Sequence, residues 1–344
     1  MIWRMLFLLT GVLFSSHVMA LAEGHLEPGM VNPGYHEQPV WFKNSFLDIN
    51  DDILDARQHD KRLVLFFYQD GCPYCKKLID ENLSQKAIAD KMRKHFDVVA
   101  INIWGDREVT MSGKSLSEKA FAAQLKVMYT PTLIFFNEDA KAVLRANGYY
   151  PPEKFNAALD YSLNKQETKE TFSEYLLRKS PQPASGKINR EVETVKSPYQ
   201  FDKPLSKGVA YRILLFEQKL CQPCDELHQD ILRRDMSRDL LKKFDVSVLD
   251  IWSDEKLINP IGVASSTRDF AKKMNIQYAP SMVFFDKAGK EVFRIDAYLK
   301  AFHIQSAMDY VSSGEYLKQP NFQRYIEARA AAQRKQGKTV DIMN

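Results

Sequence analysis

The feature that most restricts what this chain can fold into is an internal repeat. Cys72 and Cys221 stand 149 positions apart, and each opens a C-x-x-C pair, Cys72-Pro73-Tyr74-Cys75 and Cys221-Gln222-Pro223-Cys224. Thr130-Pro131-Thr132-Leu133-Ile134-Phe135-Phe136 matches Ala279-Pro280-Ser281-Met282-Val283-Phe284-Phe285 at the same offset. Ile103-Trp104-Gly105-Asp106 matches Ile251-Trp252-Ser253-Asp254 at 148, and Phe172 and Tyr175 match Phe322 and Tyr325 at 150. One unit therefore occurs twice, with single-residue slips in loops. The 344 residues are enough for two domains of ordinary size.

The order of elements is readable within each unit. Leu63 to Tyr68 and Tyr211 to Phe216 are continuous apolar runs suited to strands buried on both faces. Each C-x-x-C follows within a few residues, and a helical pattern starts there, with Leu78, Ile79 and Leu83 in one unit and Leu227, Ile231 and Leu232 in the other. Second strands are expected over Val98–Trp104 and Val246–Trp252. Further helices are expected to be capped at Ser115-Leu116-Ser117-Glu118 and Ser266-Thr267-Arg268-Asp269. An x-Pro step leads into another strand, a turn (Asn137–Ala140, Asp286–Gly289), a further strand and a closing helix. The fold class is α/β: two tandem domains, each a central mixed sheet flanked by helices. Expected boundaries are 41–178 and 201–335, joined by a Pro-rich linker at 179–200, with a lead-in at 23–40 and a tail at 336–344.

Residues 1–22 read as a cleaved secretory signal. Arg4 supplies the positive charge, Met5–Phe14 the apolar run, and Ala20-Leu21-Ala22 the small residues for cleavage. The run is short for a membrane span, and no later stretch is long enough, so no stable membrane insertion is expected after cleavage. An uncleaved anchor is the alternative. The net charge of +4 is too small to imply nucleic-acid binding, and no basic stripe with interleaved aromatics is present.

The four cysteines carry the chemistry. A strand-to-helix turn puts the first Cys of each pair at a helix N-terminus, where unpaired N–H groups and the dipole favour a thiolate. Cys72 and Cys221 are assigned as attacking thiols, Cys75 and Cys224 as resolving thiols. Pro73 suits the first helical position, and Pro223 is tolerated one position later. Two C-x-x-C pairs so far apart fit a single zinc site poorly, and the seven histidines show no matching placement. A structural staple across so short a loop constrains the unfolded chain little. No metal and no cofactor are expected.

With Pro131 and Pro280 each 59 residues beyond the first Cys of its unit, both halves resemble the thioredoxin superfamily. The resemblance implies disulfides Cys72–Cys75 and Cys221–Cys224. It also implies a cis-proline at Pro131 and Pro280, packed against the disulfide, with Thr130 and Ala279 presenting backbone groups to a bound peptide. Phe66–Cys75 and Ile101–Thr110 are similar to periplasmic SoxW-like thioredoxins. That likeness implies a periplasmic thiol reductase acting on disulfide-bearing proteins or thiol substrates, recharged by a membrane thiol-electron carrier. Departures are Gly71 and Leu220 before the cysteines, where thioredoxins have Trp, and Phe66 and Leu215, where they have a buried Asp. Asp70 and Glu217 lie near enough to handle protons instead, but read as surface carboxylates. Trp104 and Trp252 occupy equivalent strand ends and read as packing residues, with a place on the active-site rim as the alternative. The first pair has the better family match and is taken as the primary site. The alternatives are a disulfide isomerase or oxidase in protein folding, and a second unit that serves only to bind substrate or partner.

Overall fold

The computed structural model describes residues 37–179 and 184–340, so the expected signal and most of the lead-in lie outside the described residues. The first unit runs α1 (Ile49–Gln58), β1 (Arg62–Tyr68), α2 (Pro73–Lys77), a π-helical stretch (Leu78–Leu83), α3 (Lys86–His95), β2 (Phe96–Asn102), the hairpin β3 (Glu108–Met111) and β4 (Lys114–Ser117), α4 (Glu118–Gln124), β5 (Thr132–Phe136), β6 (Ala142–Gly148), α5 (Pro152–Leu163) and α6 (Phe172–Lys179). The second runs β7 (Tyr199–Gln200), β8 (Tyr211–Glu217), α7 (Gln222–Gln229), α8 (Asp235–Leu241), β9 (Phe244–Asp250), β10 (Lys256–Ile258), β11 (Ala264–Ser266), α9 (Thr267–Lys273), β12 (Ser281–Asp286), β13 (Glu291–Ile295), β14 (Ala297–Tyr298), α10 (Ala301–Ser312), α11 (Glu315–Lys318) and α12 (Phe322–Lys335).

In each main sheet the strand before the C-x-x-C is an interior one, paired on both sides. β1 is parallel to β2 and antiparallel to β5, and β8 is parallel to β9 and antiparallel to β12. Both faces of these strands are covered, which is why their sequences are continuously apolar rather than alternating. Val64 and Phe66 point into one core, and Leu63, Leu65 and Phe67 into the other. Ile213 and Leu215 divide from Leu214 and Phe216 in the same way.

Three expectations need correction. Helix α4 is capped by Ser117, not Ser115, because Lys114–Ser117 is taken into a hairpin first. The cap at Ser266 forms as expected, its hydroxyl accepting from the backbone N–H of Asp269. The strands expected to reach Trp104 and Trp252 end at Asn102 and Asp250. The described part of the expected linker is not loose. Ser185 and Asn189 bind the Asp225 carboxylate, Thr194 N–H donates to the Val246 carbonyl, and the Val195 carbonyl accepts from the Ser247 hydroxyl.

The two units interlock through equivalent residues. β14 adds to the first sheet, parallel to β6, and Asn147 Nδ2 donates to Asp296 Oδ1 at 2.7 Å. Tyr129, just before Thr130, inserts into the second unit beside Phe293 and Phe322, and its hydroxyl donates to the Arg294 carbonyl. Tyr278, 149 positions on, inserts into the first unit and stacks on Tyr150 at 5.8 Å. Lys154 Nζ lies 3.4 Å from the Tyr278 ring centroid. Each unit thus gives one tyrosine to the other's core, the reciprocal contact of a two-fold dimer interface made within one chain. Both tyrosines are buried. Tyr129→Ala and Tyr278→Ala should each lower unfolding free energy by about 3 kcal/mol, the range for truncating a buried aromatic. Urea unfolding measures this; a loss well under about 1 kcal/mol would contradict the interlock.

Candidate functional site

Two disulfides sit at equivalent places, Cys72–Cys75 and Cys221–Cys224. Each follows the end of a central strand, and each first cysteine is the N-cap of the next helix. Cys72 Sγ accepts from the backbone N–H of Cys75 at 3.0 Å, and Cys221 Sγ from that of Cys224 at 3.1 Å. This places the first sulfur of each pair where the helix terminus stabilises a negative charge. The second sulfur lies one turn in and is sealed from solvent: Cys75 is 0% and Cys224 1% exposed. The Thr130–Pro131 and Ala279–Pro280 peptides are both cis.

Each disulfide is walled by the other unit. The first site is bounded by Leu299, His303 on α10, and Gln323, Ile326 and Glu327 on α12. The second is bounded by Pro151, Lys154 on α5, and Ser173, Leu176 and Leu177 on α6. By the repeat these are matching positions: His303 with Lys154, Gln323 with Ser173, Ile326 with Leu176, and Glu327 with Leu177.

Matching walls leave very different space. The cavity at Cys72 is ≈ 30 Å³, and the cleft at Cys221 is ≈ 560 Å³. The cause is a handful of side chains. Tyr74 is buried in the first site with its ring 5.5 Å from that of His303, whereas Pro223 stands at the equivalent place in the second. Gln323 spans the first site, donating to the Met128 carbonyl and accepting from Gln69 Nε2; Ser173 is too short to do so. All of Gly71–Cys75 is buried, and so are Thr130 and Pro131. In the second site Leu220 and Gln222 are exposed on either side of Cys221, and Ala279 and Pro280 are only partly buried. Burial lowers the His303 pKa to about 4, so its ring faces Tyr74 as a neutral imidazole at neutral pH.

A profile for the thioredoxin-like domain matches residues 49–163 and again 201–312, together more than half of the sequence. The chain belongs to the thioredoxin-like family. Among solved structures, a thioredoxin-fold protein from Helicobacter pylori is 18% identical, covering 38% of this chain and 89% of its own, at a TM-score of 0.34. A thioredoxin from Thermus thermophilus is 22% identical, covering 33% and 82%, at 0.27. The C-terminal domain of Neisseria meningitidis DsbD, in its oxidised form, is 19% identical, covering 33% and 90%, at 0.26. No curated protein sequence matches the chain.

Several residues of these thioredoxin-like sites escape the sequence reading. Gln69 lines the first site and Gln218 the second, each accepting from a tryptophan indole: Trp104 at 2.9 Å and Trp252 at 3.0 Å. The tryptophans are therefore more than packing residues, since each fixes a site-lining glutamine. Gln69/Gln218 and Tyr129/Tyr278 are identical pairs at the 149-residue offset, so the signal lay in the repeat itself. Asp70 is exposed, as expected. Glu217 is not: it is 0% exposed, with Oε1 2.7 Å from His228 Nε2. A carboxylate at a strand end beside a loop reads as surface, but here α7 lies over it.

The geometry gives the two disulfides unequal access. Partial reduction of the folded protein by a bulky thiol, followed by alkylation and mass spectrometry, should label Cys221 roughly tenfold faster than Cys72. Equal labelling would show that the walls do not restrict the first site.

Proposed function

We propose that the chain is an exported thiol–disulfide oxidoreductase that reduces disulfides of proteins or small thiol compounds. The observation that carries the exchange chemistry is the repeated placement of a cysteine sulfur at a helix N-cap, bonded to a buried partner one turn further on. A substrate disulfide would be attacked by the thiolate of the first cysteine, and the second thiol, one turn in, would then resolve the mixed disulfide, releasing the reduced substrate. Thr130 with Pro131, and Ala279 with Pro280, would supply the backbone edge against which a substrate segment lies. The reductive direction, the periplasmic setting and recharging by a membrane thiol-electron carrier rest on the likeness of the first unit to SoxW-like thioredoxins. Among the described residues, no helix is long and apolar enough to cross a membrane.

The cleft at Cys221 favours the second pair as the place where a large substrate is met, rather than Cys72–Cys75. Leu220 is 45% exposed beside Cys221, and Leu176 and Leu177 face it from the other unit, an apolar bed suited to an extended polypeptide segment. This also speaks against a second unit that only binds.

Equilibration with a glutathione redox buffer tests the direction. A reductase should show potentials near the thioredoxin value of about −270 mV, and potentials near the about −120 mV of a strong disulfide donor would overturn it.

A further inference from the structure

The open space at the second site does not end beside Cys221. A second cleft, of ≈ 650 Å³, adjoins the first, and the two share Ser173 and Gln277 in their walls. Ser173 Oγ donates to the Gln277 carbonyl at 2.7 Å, joining the two units. Ser173 is buried, which sets this bond at the base of the gap. The Trp252 indole is a further link, since Trp252 lines the second cleft and its indole donates to Gln218, which lines the first. The second cleft lies between the units. Lys141, Lys169 and the start of α6 stand on one side, and Trp252 with Arg268 and Lys272 of α9 on the other.

The charges in the two clefts differ in kind. Beside Cys221 the charged side chains are Glu153 and Lys154, one of each sign, and Lys154 is held against the Tyr150 and Tyr278 rings. The second cleft has four cations and three carboxylates. The carboxylates are all engaged within their own unit. Glu167 is 2.8 Å from Arg62, Glu170 pairs with Arg178, and Glu174 accepts from the Thr171 N–H and hydroxyl at 2.7 and 2.8 Å. Arg268 is engaged as well, by the Trp252 carbonyl and, at 3.4 Å, by Asp254. The ammonium groups of Lys141, Lys169 and Lys272 make no ion pair or hydrogen bond among the described residues, and all three residues are exposed. The cleft therefore presents uncompensated positive charge from both of its walls.

The repeat shows what the same place looks like in the first unit. There Arg324 of α12 lies over the Trp104 ring at 4.7 Å. Its counterpart by the repeat is Glu174, which turns to Thr171 and leaves Trp252 in a cleft wall. The counterpart of Lys272 is Ala123, so the first unit also lacks that cation.

We propose that the second cleft docks an acidic stretch of a polypeptide substrate whose disulfide is presented to Cys221. The proposal deepens the reading of Cys221–Cys224 as an exchange pair and rests on it. One extended chain suits both clefts. Apolar residues near its cysteine lie on Leu176, Leu177 and Leu220, and Asp or Glu further along meet Lys141, Lys169 and Lys272. Flexible, solvated lysines hold a small free anion weakly, whereas a chain engaged at Cys221 brings its carboxylates to them at high effective concentration. The lysines would thus select among substrates without touching the reacting sulfurs.

The test uses the full chain carrying Cys72→Ser and Cys75→Ser, so that only the second pair reacts. Peptides of equal length carry a central cysteine joined to thionitrobenzoate as a mixed disulfide, flanked by Glu-rich, Gln-rich or Lys-rich segments. Release of thionitrobenzoate by the reduced protein gives each second-order rate. Each rate is divided by that of a small uncharged thiol, which removes the intrinsic reactivity of the peptide. The Glu-rich peptide should react roughly tenfold faster than the Lys-rich one at low ionic strength, and the preference should fade by about 0.5 M salt. With Lys141→Gln, Lys169→Gln and Lys272→Gln combined, the preference should fall to about twofold or less. The rate with 2-hydroxyethyl disulfide should stay at the parent value. All three lysines are exposed, so the combined variant does not depend on the tolerance of the core. Equal peptide rates in the parent, or an undiminished preference in the combined variant, overturn the docking proposal and leave exchange at Cys221 standing. A parent unreactive towards the peptides and 2-hydroxyethyl disulfide alike overturns the exchange reading, and the proposal with it.

Discussion

The reciprocal insertion of Tyr129 and Tyr278 is the contact on which the rest depends. Each tyrosine immediately precedes the residue before a cis-proline, so the loop beside each disulfide is anchored in the opposite unit. Each loop is thereby held by a contact from the other domain. The interface follows the logic of a two-fold dimer, where a patch meets its own equivalent, and Asn147 meeting Asp296 across it, 149 positions apart, is the clearest sign. Burying two large aromatics in this way stabilises the pairing by several kcal/mol in order of magnitude. It also fixes α6 and α12 over the two sites.

A symmetric scaffold has then been made asymmetric by few side chains. Tyr74 against Pro223 and Gln323 against Ser173 decide whether the gap beside the first sulfur is filled. Arg324 of α12 lies over the Trp104 ring at 4.7 Å, which ties that helix further to the rim of the first site. The two units also differ in their interiors. Glu217 and His228 form a buried pair in the second unit, where Tyr68 and Ile79 stand in the first. The open cleft thus lies in the second unit, not in the one the sequence marks as the primary site.

Much of this was legible in the sequence because it is local or repeated. The C-x-x-C pairs, the central apolar strands and the helix starts at Cys72 and Cys221 each depend on residues close in the chain. The repeat carried the two-domain fold without any long-range information. What stayed hidden depends on packing between distant segments. Glu217 looks like a surface carboxylate until α7 is placed over β8 and His228 reaches it. Ser115 satisfies the capping pattern as well as Ser117 does, and only the hairpin of β3 with β4 decides between them. The Pro-rich joining segment reads as a linker because its bonds are to β9 and Asp225, which composition does not reveal. The ranking of the two sites depended on α6 and α12, whose aromatic pairs give no hint of which active site they cover.

The central claim is that interlocking domains close the first site and leave the second to meet substrate. It is tested most directly by turnover of a disulfide-bearing protein substrate with two full-length variants. The account predicts that Cys72→Ser with Cys75→Ser retains most of the parent turnover, and that Cys221→Ser with Cys224→Ser loses most of it. The reverse result, with activity lodged in Cys72–Cys75, would contradict it.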